Sequence, residues 1–230
     1  MRKPREHLSN EDYAKYLLEY EALARELKMP YATARWELSV VGKGGVIEQR
    51  QEFPSQSYLR NFYNMLAGYF CSVYMNDASP DWGDGYLNRR NQAGTILSLT
   101  AINTTTANAI LGGNDYGILV GTDDTAEDID QYSLIAKVAH GRDPDQLYHY
   151  RVETNDNYTN WSWDGGTRKF TRTLYRFFAN WSGGNIGINE VGIAESTGFL
   201  LVRDKLSSTV NVAALRTLRA KYTITSTEYP

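Results

Sequence analysis

Five carboxylates crowd into eight residues: Asp123, Asp124, Glu127, Asp128 and Asp130. Hard oxygen ligands of this kind suit Ca²⁺, yet the spacing lacks the glycine and the final bidentate Glu of an EF-hand loop. The competing account is a solvated turn, because Asp and Thr side chains readily bond the backbone two residues on. A second acidic group, Asp81 and Asp84, flanks Trp82, and Trp161, Trp163 and Asp164 follow later in the chain. Paired carboxylates could hydrolyse a glycosidic bond. Indole planes stack on the apolar face of a sugar, which makes Trp82, Trp161 and Trp163 candidate glycan contacts. Tryptophans of a β-rich chain also fill cores and interfaces, and no acid is placed in an apolar pocket by the sequence.

The remaining reactive side chains are scattered. His140 and His149 are nine positions apart, which is no metal-ligand spacing, and His7 stands alone near the start. Cys71 is the only cysteine and sits among Tyr69, Phe70 and Val73, the setting of a buried thiol rather than a nucleophile. Neither a nucleophile elbow nor a phosphate-cradling glycine loop is present. The expectation is a protein without catalytic residues, cofactor or metal.

The elements around these residues read mainly as strands. Thr33–Val40 alternates apolar Ala34, Trp36, Leu38 and Val40 with polar neighbours. Gly42-Lys43-Gly44-Gly45 turns that strand into a hairpin over residues 46–51. Further strands are expected at 95–102, 117–121, 133–139, 147–153, 168–178, 185–194, 199–203, 208–213 and 217–225. Short β runs cut by Gly, Asn and Ser at roughly 10-residue intervals describe an antiparallel sandwich. Two helices interrupt the pattern. One spans Tyr58 to about Tyr74 and is apolar over most of its circumference, as a buried core helix is. The other spans Ser9–Lys28, where Ser9 and Asp12 fit a capping box and Pro30 ends the run. Residues 76–94 form a long polar loop.

That first helix carries Tyr13, Leu17, Tyr20, Ala24 and Leu27 at alternating steps of four and three, a seam repeating every 3.5 residues. Such a seam lies either on the chain's own domain or on a neighbouring subunit. Tyr13, Leu17, Tyr20 and Leu27 are the candidate subunit-interface residues. The organisation that follows is a basic tail and helical arm over 1–30 and one sandwich over 31–230.

Composition narrows the partners. A net charge of −3 and a pI near 5.7 give no basic footprint for direct nucleic-acid binding. No apolar run approaches the length needed to cross a bilayer, and the start reads as a charged helix rather than a secretory signal. The Asn-X-Ser/Thr triplets at Asn103, Asn157, Asn160 and Asn180 are then turn chemistry rather than glycan acceptors. Tyrosines number 17 against 7 Phe, an excess suited to half-buried faces and wet interfaces.

Several blocks together resemble structural proteins of tailed-bacteriophage particles. They are Ser57-Tyr58-Leu59-Arg60-Asn61-Phe62-Tyr63-Asn64, Gly117-Ile118-Leu119-Val120-Gly121-Thr122, Tyr132-Ser133-Leu134, His140-Gly141 and Leu147-Tyr148 with Tyr150. Phe178-Ala179-Asn180-Trp181-Ser182-Gly183-Gly184, Glu190-Val191-Gly192-Ile193, Leu200-Leu201-Val202-Arg203-Asp204 and Tyr222-Thr223-Ile224 complete them. The resemblance covers about residues 33–225 and leaves residues 1–30 unmatched. It implies a mainly β, jelly-roll-like antiparallel sandwich assembled in rings or trimers on a capsid, neck or tail, without cofactor. It further implies copies of itself and other virion proteins as partners, no nucleic acid or membrane contact, and assembly in a bacterial cytoplasm. The alternative reading is a carbohydrate- or receptor-binding sandwich module.

Overall fold

The computed structural model describes residues 10–27, 29, 31–71, 78–79, 83–84, 88–98, 107–153 and 161–227. In chain order the elements are α1 (Asn10–Glu26), β1 (Tyr31–Val41), β2 (Ile47–Pro54), α2 (Arg60–Cys71), β3 (Ala78–Ser79), β4 (Gly83–Asp84), β5 (Asn88–Arg90) and β6 (Ile96–Ser98). Then come β7 (Gly117–Gly121), β8 (Tyr148–Glu153), β9 (Trp161–Asp164), β10 (Lys169–Ala179), β11 (Ile186–Ala194), β12 (Leu200–Val212) and β13 (Thr217–Thr227).

The strands make an antiparallel β-sandwich. The large sheet runs β2-β1-β13-β10-β8, with β9 also on β10, and the small sheet runs β12-β11-β7. Strands that follow one another change sheet between β7 and β8, between β10 and β11, and between β12 and β13. Alternation in the sequence sets which side chains enter the core. Trp36, Leu38 and Val40 of β1 and Leu218, Ala220 and Tyr222 of β13 meet Ile118, Val120, Ile188, Val191, Val202, Val210 and Val212 of the small sheet in one cluster. Trp36 and Tyr222 are neighbours in it, with ring centroids 4.5 Å apart. Between β1 and β2 the expected glycine turn is a single 3-10 turn, with φ of 75° at Gly44 and 81° at Gly45, a region open to glycine at little cost.

Three expectations are corrected. The strand expected over 133–139 is a loop held to β7 by one bridge, Gly121 to Lys137. Its Ile135 and Ala136 amides donate to the Glu190 carboxylate instead of to a strand partner. The strands expected at 199–203 and 208–213 are one strand, β12. Ser207 and Thr209 do not break it, because Gln51 donates to Ser207 Oγ and Gln49 to the Thr209 carbonyl. Finally, α2 is not buried all round: Leu59, just before it, and Asn61 in its first turn are buried but Tyr63 is half exposed. Asn61 fixes α2 to β12 and β5 through the carbonyls of Leu200 and Arg90 and the Arg90 amide.

The helix α1 lies back on the large sheet. Ala24 is buried, Leu17 is half-buried, and Tyr20 meets Tyr31 of β1 edge-to-face at 5.9 Å. A groove of about 420 Å³ remains between helix and sheet, lined by Leu17 and Glu21 on one side and Arg35, Glu37, Arg50 and Lys221 on the other.

Candidate functional site

Arg203, Glu190, Asp204 and Arg176, all buried, are occupied in holding the sandwich together. Arg203 of β12 donates from Nε to Glu190 Oε2 of β11 at 2.6 Å, both fully buried, and from its two other nitrogens to Gln131 Oε1 and the Thr125 carbonyl. Asp204, the next residue, accepts Trp36 Nε1 at 2.8 Å, Ser55 Oγ at 2.6 Å and the amides of Gln56 and Ser57. Burial raises the Asp204 carboxyl above its ordinary range, and the bonds from Ser55, Gln56 and Trp36 pull against that rise. Arg176 of β10 points into the core, and among the described residues no acid pairs with it. It donates instead to the carbonyls of Gly113, Tyr116, Ile118 and Tyr150, and burial lowers it to about 10.

Four of the five carboxylates of the acidic stretch are engaged in the same way. Asp123 bonds the Thr125 amide and lies 3.7 Å from Arg203, Glu127 accepts the Lys205 amide, Asp128 accepts the Asp130 amide, and Asp130 pairs with Arg60. Among the described residues no three His, Cys, Asp or Glu side chains converge as a metal would need. On the outer face of the large sheet, Glu37 gathers Arg50, Arg219 and Lys221 at 3.1, 2.5 and 3.6 Å. Burial works against its ionised form, but the three cations prevail and hold its carboxyl below the usual range.

The residues singled out in the sequence fall in two places. Tyr13, Leu17 and Tyr20 lie in α1 and Leu27 in the turn that ends it. Leu17 faces the chain's own sheet, whereas Tyr20 and Leu27 are about half exposed, and so are Tyr16 and Leu23. Successive steps of four, three and four align Tyr16, Tyr20, Leu23 and Leu27 in one stripe beside the face that packs on the sheet. The seam read from sequence is therefore split, with its Leu17 and Ala24 side on the chain's own sheet. Of the glycan candidates, Trp82 lies outside the described residues, as does Asp81. Trp161 and Trp163 lie in β9, paired with Arg172 and Phe170 of β10. Trp163 is 49% exposed. Asp164 caps the turn that follows, accepting the amides of Gly166 and Thr167 and the Thr167 hydroxyl, and those bonds lower its pKa.

No protein-family model matches this chain, and neither a curated protein nor a solved structure matches it.

One further cluster escaped the sequence. Tyr148 of β8 stacks on Trp181, centroids 4.3 Å apart and planes 27° apart, and Tyr150 meets Trp181 at 6.5 Å. The Arg142 guanidinium lies 4.2 Å above the Trp181 ring. His140 packs on Tyr148 at 4.7 Å, and its Nδ1 accepts the His149 amide. Trp and Tyr with Arg, partly exposed and rigidly braced, have the composition of an interaction hot spot. The only sequence signal was Tyr148-X-Tyr150, which puts both rings on one strand face. Trp181 and Arg142 reach it through non-local packing that no local pattern encodes.

Proposed function

We propose that this protein is a structural subunit of a tailed-bacteriophage particle, binding copies of itself and neighbouring virion proteins on a capsid, neck or tail. The observation that carries the reading is the double-faced α1. One face, Leu17 and Ala24, packs on the chain's own sheet, while Tyr16, Tyr20, Leu23 and Leu27 form a second apolar stripe on an exposed helix. A contiguous exposed apolar stripe is costly on a solitary protein and useful on one that assembles. The family resemblance of residues 33–225 supplies the particle. The interior adds support, since its buried acids and arginines are spent on structural bonds.

Immunogold labelling of particles produced from the encoding genome tests it. Regularly placed label is expected; a chain found only in the soluble fraction would overturn it.

The aromatic cluster favours a second reading, a carbohydrate- or receptor-binding module. It predicts reproducible glycan-array binding that is lost in Trp181→Ala or Trp163→Ala, or in Trp82→Ala if the 76–94 loop takes part. An array without reproducible binding removes this reading.

A further inference from the structure

Two exposed apolar surfaces of this chain carry opposite charge. The α1 stripe is bordered on its solvent side by Glu19 and Glu26, both exposed and seven residues apart on one helix edge. The second surface is on the β9–β10 hairpin. Trp163 pairs directly with Phe170, and Arg172, two residues on, pairs with Ile224 of β13. Residues directly opposed across a ladder, and those two apart along a strand, share a face. That face is the core side of the large sheet beyond the small sheet's cover, so Trp163, Phe170 and Ile224 are 49%, 38% and 40% exposed. Its border is basic: Arg168, in the turn at φ 50°, and Arg172 are both exposed. The neighbouring acid, Asp164, is committed to its turn.

We infer that the α1 stripe of one copy docks on the Trp163–Phe170–Ile224 face of another, with Glu19 and Glu26 against Arg168 and Arg172. The inference rests on the reading of this chain as a self-assembling subunit. Pairing of α1 with a second α1 is the obvious competitor, and the charges oppose it. In an antiparallel pair the Glu19 and Glu26 edges of the two helices meet each other. In a parallel pair they meet the Leu17 and Ala24 edge, which already lies on the sheet. A helix-to-hairpin contact is head-to-tail: each copy uses its helix on one neighbour and its hairpin on the other. Such contacts close into a ring or continue as a filament.

The test uses the full chain in analytical ultracentrifugation. One variant carries Leu23→Glu and Leu27→Glu, the other Trp163→Ala and Arg172→Glu; all four residues are exposed, and thermal unfolding checks that each variant folds. Wild type is expected to form a closed or growing oligomer and each variant alone to stay monomeric. Mixed in equal amounts, the two variants should give a 1:1 dimer and nothing larger, because each retains one intact surface. In a gentler pair, Glu26→Arg should weaken assembly about tenfold or more, and Arg172→Glu mixed with it should recover part of the loss. A mixture that stays monomeric, a hairpin variant that assembles like wild type, or a monomeric wild type would each overturn the contact. If the hairpin variant still enters particles normally, the contact fails and the particle assignment stands. If the mixture pairs as expected but the chain is absent from particles, the assignment fails and the contact stands.

Discussion

Arg203 and Glu190 face each other from neighbouring strands, Nε to Oε2 at 2.6 Å, and neither side chain reaches solvent. The same carboxylate accepts the Ile135 and Ala136 amides, and the same guanidinium reaches Gln131 and the Thr125 carbonyl. This single pair therefore fastens most of the 122–136 loop to the small sheet. It is a clamp on a segment without regular structure of its own.

Removing one partner should cost far more than removing both. Glu190→Gln leaves the buried Arg203 with its bonds to Gln131 and the Thr125 carbonyl and with Asp123, at 3.7 Å, as its remaining carboxylate among the described residues, and breaking such a pair costs about 3–5 kcal/mol. Urea unfolding checks this. Hydrogen exchange at Ile135 and Ala136 should accelerate well beyond the global change. A replacement of both residues by apolar side chains should recover part of the loss.

Asp204→Asn isolates the second clamp. The carboxylate accepts two donors on each oxygen, so an amide must aim its NH₂ at one pair of donors. Leaving that pair unsatisfied in the core should cost about 1–3 kcal/mol per group lost. Trp36 fluorescence reports on it directly, because its indole N–H is one of the donors. An unchanged spectrum and stability would mean the network carries no weight.

How much of this was legible depended on range. Local signals found β1 with its glycine turn, β8, β10, β11 and β13, and α1, because period-two and period-3.6 patterning and Pro30 act within a few residues of the chain. The loop at 133–139 reads locally as a strand because its apolar Leu134, Ile135 and Val138 look extended, while a glutamate on β11 takes its amides. Ser207 and Thr209 looked like a break in β12 because the glutamines of β2 that support them are far away in sequence. The seam on α1 was legible as apolar, but which side of it packs on the chain's own sheet is set by tertiary contact. The Tyr148–Trp181 stack depends on strand pairing across sequence.

Gly117 should be intolerant of any side chain. Its φ is +82°, and a Cβ there would come within 2.7 Å of both Ala109 Cβ and Val152 Cγ2. Gly117→Ala should therefore combine backbone strain with a steric clash, together about 2–4 kcal/mol. Gly198→Ala is the matched control: it has the same φ of +82° with nothing within 4 Å of the added Cβ. It should lose only about 1–2 kcal/mol. Equal losses at the two positions would show that crowding at Gly117 is relieved elsewhere.

His149 should make this protein sensitive to mild acid. Its ring is buried against Phe178, centroids 5.0 Å apart, and neither nitrogen closes a well-formed hydrogen bond. Burial first, then the nearby Arg176 charge, lowers its pKa to about 3, with only a loose approach to the Gly113 backbone opposing them. In the unfolded chain the same imidazole titrates near its ordinary value of about 6.5. Between those two values the unfolded state binds a proton that the folded state refuses, so stability falls as pH drops. From pH 7 to pH 4 that loss should be on the order of 3 kcal/mol from this residue alone. His149→Phe removes the titration while keeping a ring beside Phe178. Denaturant unfolding of both proteins at steps between pH 7 and pH 4 isolates the effect, since the carboxylates contribute alike to each. The wild-type curve should fall more steeply below about pH 6.5, and the gap should keep widening to pH 4. Parallel curves would show that His149 accepts its proton inside the fold and that the region around Arg176 opens to admit it.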